Sequence, residues 1–87
     1  MHNFRDKRYK VVIDSKIPGN LEGMTVSPKV KHKFIKIDNG LAGLHRLNVI
    51  IHESLHACIW DMDEEAIDET ASSVASLLWK LGYRKEN

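Results

Sequence analysis

The chain has 87 residues, room for one domain whose small core is marginal without a staple, and its single cysteine, Cys58, excludes an internal disulfide. Hydrophobic residues make up 43% and charged residues 29%, an ordinary globular composition with no apolar run near the ~20 residues of a membrane span. The net charge of +1 hides an asymmetry: residues 1–38 carry nine Lys/Arg against four Asp/Glu, and residues 39–87 carry four against eight. The basic part reads first as the solvated face of alternating strands and second as a nucleic-acid footprint. MHNFRDKRYK has no apolar signal core, so with a lone Cys the expected setting is a reducing cytoplasm.

In chain order, Arg8 to Asp14 is rich in β-branched and aromatic residues and predicts a strand. Pro18-Gly19-Asn20 is turn chemistry. Gly23 to Val26 predicts a short second strand, stopped by Pro28. From Val30 to Asp38, lysines at 31, 33 and 36 interleave with apolar residues, which predicts a half-buried third strand at a sheet edge. Asn39-Gly40 ends it. After Gly43 the apolar spacing becomes helical, through Leu44, Leu47, Ile50, Ile51, Leu55, Cys58 and Ile59, to about Trp60. Asp61-Met62-Asp63 is a connection, with Asp61 or Asp63 able to cap the second helix, Glu64 to about Leu81. Gly82 is its stop. The expected fold is α+β in a single domain over 1–87: a three-stranded sheet in residues 1–40, then helices over 41–60 and 63–83 packed on one face.

The chemistry lies in His52-Glu53-Ser54-Leu55-His56. Two histidines four apart share one helix face and can grip one zinc ion. Glu53 can reach a water that the metal acidifies and take its proton. Such a string arises by chance about once in fifty sequences of this size and composition. Its context sharpens it: Asn48 to Ile51 before it and Ala57 to Trp60 after it make the helix buried, and uncompensated polar groups are costly there.

Zinc needs a third protein ligand. Six residues after the second histidine, where one type of site places it, stands Met62; Asp61 and Asp63 flank that position. On the next helix Glu64, Glu65 and Glu69 compete. The first two sit in the first turn, where acids are expected for the helix dipole. A fold-back about Met62 puts Glu69 level with His56, so Glu69 is the expected ligand and Glu65 the alternative. His45, seven before His52, lies on the same stripe, either solvated or contacting substrate. Cys58 reads as a small buried hydrophobe, and Trp60 and Trp79 as packing.

The segment IHESLHACIWDMDEEAIDETASSVASLL, Ile51 to Leu78, resembles the short zincin-like metallopeptidases: minigluzincins, SprT-like and ImmA-like proteins, and small proteins of tailed bacteriophages. The resemblance covers about a third of the chain and implies a zinc-dependent peptidase core with His52 and His56 as ligands and Glu53 as base. Laid on ImmA-like proteins it matches Glu69 as the third ligand. A thermolysin-like alignment matches Glu65 instead and leaves Glu69 orienting His52. The expected partner is a peptide or protein substrate aligned along Lys33 to Asp38. The rival expectation is a non-catalytic, zinc-stabilised binding module or regulator acting on another protein, for which an intact Glu53 has no use.

Overall fold

The computed structural model describes residues 1–84; the last three residues of the expected domain lie outside the described residues. It is α+β, with strands β1 (His2–Phe4), β2 (Lys7–Ser15), β3 (Gly23–Thr25) and β4 (Phe34–Asp38), then helices α1 (Gly43–Cys58) and α2 (Glu64–Lys80). The sheet has four strands in the order β1-β2-β4-β3, one more than the sequence pattern suggests. β2 and β4 run parallel; β1 and β3 are antiparallel to their neighbours. The added strand comes from a two-residue hairpin whose turn, Arg5-Asp6, adopts positive φ at both positions (48° and 70°), as such hairpins require. β4 is central, not an edge; the edges of the sheet are β1 and β3.

Alternation decides what covers the sheet. Tyr9, Ile35 and Ile37 are buried against α1 together with Ala57, and Phe4, Ile13, Val49 and Ile50 complete this core. The opposite face carries Arg8, Lys10 and Val12 of β2, Phe34 and Lys36 of β4, and Met24 of β3. Only α1 packs on the sheet, and α2 packs on α1 without touching a strand. The order is therefore sheet, α1, α2, rather than two helices side by side on one face. Ile67, Ala71 and Ala75, spaced by four, are the buried seam of α2, and its two alanines let the helices approach closely. No helix of the described residues is long and apolar enough to cross a membrane.

The helix ends are built by the residues that suggest them. The Asp63 carboxylate accepts from the Glu65 and Ala66 amides at the start of α2. At its end Gly82 takes φ +92°, the Gly82 amide donates to the Trp79 carbonyl and the Tyr83 amide to the Leu78 carbonyl, both at 3.0 Å. Arg5 donates to the carbonyl of Cys58, placing a cation on the C-terminus of α1. Beneath it the Tyr9 hydroxyl is buried with no hydrogen-bond partner, and burial raises its pKa, with the Cys58 thiol adding to the effect.

Candidate metal centre

α1 ends at Cys58 and α2 begins at Glu64, so residues 59–63 turn the chain about residue 60. The antiparallel pair then matches positions whose numbers sum to 120. Asn48 donates to Ser72, His52 faces Asp68, and His56 faces Glu64. Each set advances by four residues, so both lie as straight ladders along facing helix edges. This register overturns the fold-back about Met62: Glu64 is level with His56, and Glu69 stands a residue past the ladder, exposed and outside the group. Glu65 is likewise exposed and outside it.

His52 Nε2 and His56 Nε2 are 3.2 Å apart. One Glu64 oxygen lies 3.0 Å from His52 Nε2 and the other 3.2 Å from His56 Nε2. Donors held by one tetrahedral zinc at about 2.0–2.1 Å stand about 3.3 Å from each other; the two Glu64 contacts end on different oxygens, and one donor atom from each of the three residues lies within 4.8 Å of the others, close enough to close on an ion. The tautomers point the same way. His52 Nδ1 is 3.0 Å from an Asp68 oxygen, and a carboxylate can only accept, so Nδ1 carries the proton. In the neutral ring Nε2 is then a bare lone pair, facing a carboxylate and a second imidazole. That convergence is relieved by a cation between them, or by a second proton on His52. The donor set, two imidazoles and one carboxylate, suits zinc and leaves a fourth position open. Both imidazoles are about one-fifth exposed, whereas Glu64 and Asp68 are mostly exposed, so the open side faces solvent. Asp68 holds the ring orientation of His52 from outside the triangle.

Glu53 points from the same helix toward β3. Among the described residues it is the one buried charged side chain, 7% exposed. Its Oε1 accepts from the Thr25 hydroxyl at 2.7 Å. The same hydroxyl is 3.0 Å from the Glu53 carbonyl, but its one proton serves the shorter contact. Oε2 has no donor among the described residues. Glu53 and His52 both line a cleft of about 320 Å³, with Gly23, Val49, Asp68 and Ser72 on its walls. His45 and Glu22 also line it, and their side chains pair directly. His45 is thus placed in the cleft wall, bonded to a carboxylate rather than merely solvated.

Comparison with known protein families, curated proteins and solved structures finds no match to this chain. The site therefore stands on its own geometry.

Sequence reasoning ranks Glu64 behind Glu69 and Glu65 as a first-turn dipole acid, and it passes over Asp68 and Gly23. Asp68 has no motif of its own. Gly23 reads only as a strand start, yet a Cβ there would lie 2.8 Å from Glu53 Cγ and 3.1 Å from Oε2. Its glycine is the space Glu53 occupies. The Gly23→Ala variant is expected to push the Glu53 carboxylate aside and to lose about 1–3 kcal/mol of stability from overpacking. Zinc content should not change, because Glu53, the residue displaced, is not one of the candidate donors. Unchanged stability by chemical denaturation would show that Glu53 does not need that space.

Proposed function

We propose that this chain is a zinc-dependent peptide hydrolase in which His52, His56 and Glu64 hold the metal and Glu53 is the general base. The observation that carries this reading is the group of His52, His56 and Glu64, one donor atom from each within 4.8 Å of the others, with His52 in the wall of a cleft that also holds the buried Glu53 carboxylate, which is not one of the donors. Zinc bound there supplies a Lewis acid that polarises a peptide carbonyl and acidifies water.

The chain's own residues do the rest. Asp68 holds the Nδ1 proton of His52 and keeps Nε2 turned inward. Thr25 occupies Oε1 of Glu53, which leaves Oε2 to take a proton from the attacking water and return it to the departing amine. β3 supplies the substrate edge. The Glu22 carbonyl and Val26 amide bond inward to β4, so by alternation the Gly23 and Thr25 backbone groups face outward. An extended peptide can add to that edge as a further strand, directly beside Glu53. This moves the substrate edge from Lys33–Asp38, whose strand is paired on both sides, to Gly23–Thr25.

The test is cleavage of a diverse peptide library by the metallated protein. Cleavage should stop with a chelator and return with added zinc. No cleavage by protein verified to hold zinc would leave the rival reading, a zinc-stabilised binding module.

A further inference from the structure

The face of the sheet turned away from α1 has a composition the metal site does not use. Register places Lys10 beside Phe34, and Val12 and Met24 on either side of Lys36, with Arg8 on the same face. No helix lies on it. Lys10 and Arg8 are exposed, and Phe34, Val12, Met24 and Lys36 are half-buried. The Lys36 ammonium lies 5.0 Å from the Phe34 ring centre, over its face. Among the described residues none of these three cations is paired with a carboxylate. Asp38, at the end of β4, is already engaged by the amides of Ile17 and Gly40.

The charges sort by layer. Glu64, Glu65, Asp68 and Glu69 sit on α2, the layer farthest from this face, while the loop of residues 26–33 beside it adds Lys29 and Lys31, both exposed. A molecule of nearly zero net charge thus presents a cationic sheet and an acidic helix at opposite ends. A polyanion is attracted to the former and kept off the metal cleft by the latter.

We propose that this open sheet face, Arg8, Lys10 and Lys36 around the Phe34 ring, binds single-stranded nucleic acid. The cations meet successive phosphates and the ring stacks on an unpaired base, displacing Lys36 toward the backbone. A duplex is disfavoured because its bases are already stacked and the face has no helix or ribbon to enter a groove. This binding is independent of zinc, since no donor of the metal triangle lies on the sheet.

The experiment is fluorescence anisotropy with a short labelled oligothymidylate, a matched duplex, and anionic phosphatidylglycerol vesicles as a separate arm, for the full chain with and without chelator. The oligothymidylate should bind more tightly than the duplex, with log affinity falling against log salt at a slope of about −2 for three phosphate contacts. Phe34→Ala should weaken binding about 5–100-fold with little change in slope, as loss of one stacked base does. Lys10→Gln, at an exposed position whose change cannot disturb the core, should lower the slope by about 0.7. The proposal is overturned by any of three results: no binding at low salt, preference for the duplex or the vesicles, or wild-type affinity and slope in Lys10→Gln.

Discussion

Protein purified without chelator is expected to carry about one zinc per chain, and His52→Ala, His56→Ala and Glu64→Ala are each expected to lose it. Each substitution removes one corner of the donor triangle, and two remaining donors cannot compete with water for the ion. The ordering among the acids is the sharper part. Asp68→Asn keeps the triangle but loses the acceptor that orients His52, so affinity should fall by about 10–100-fold. Glu65→Ala and Glu69→Ala should leave affinity unchanged, because neither belongs to the group of His52, His56 and Glu64. Elemental analysis and competition with a chromogenic chelator read all of this. Stoichiometric zinc surviving in both histidine variants would sink the site. Loss in Glu69→Ala with retention in Glu64→Ala would mean that α2 is turned about its axis relative to α1.

The same ion should hold the fold. A chain of 87 residues without a disulfide draws only a few kcal/mol from its core. The ion would join α1 to α2, and α2 has no other layer to rest on. At a hundredfold excess over its dissociation constant a ligand adds about 2.7 kcal/mol, which for a domain this size is roughly 10–20 °C in melting temperature. Chelation should therefore lower the melting temperature by that order. An unchanged melting temperature after verified metal removal would place the ion outside the fold's energetics.

How far the sequence led follows from which interactions are local. The caps of α2 are written in Asp63 and Gly82, because each acts on backbone a few residues away. The histidine pair is legible for the same reason. The residue that completes the candidate donor group is not, since it depends on where two helices fold back: moving that point from residue 60 to residue 62 brings position 68, next to Glu69, level with His56 in place of Glu64. β1 was missed because Arg5-Asp6 carries none of the Gly or Asn that usually marks positive φ. Lysines at 31, 33 and 36 suggested an edge strand, yet only Lys36 lies in β4; Lys31 and Lys33 belong to the loop before it, and Lys36 to a face that no helix covers. Alternation alone cannot tell a free edge from a free face. Strand order is a property of long-range pairing, and with it the placement of Gly23 against Glu53.

Glu53→Gln is expected to abolish peptide cleavage while leaving zinc content and fold in place. Glu53 is not a corner of the triangle, so the metal should stay at one per chain. The substituted amide is nearly the same shape, and its oxygen can still accept from the Thr25 hydroxyl, so the buried position loses neither volume nor its hydrogen bond. What it loses is the lone pair of a carboxylate at Oε2, the atom left without a donor beside the cleft. Loss of a general base typically costs 10²–10⁴-fold in rate, so cleavage should drop to near background at equal zinc. Thr25→Val separates holding from reacting. It leaves Glu53 buried and without its partner, so stability and rate should both fall, where Glu53→Gln lowers rate alone. Cleavage that survives Glu53→Gln would come from another base or a contaminant. A folded, metallated Glu53→Gln variant that keeps every effect of the wild type would leave the helix pair as a scaffold for binding.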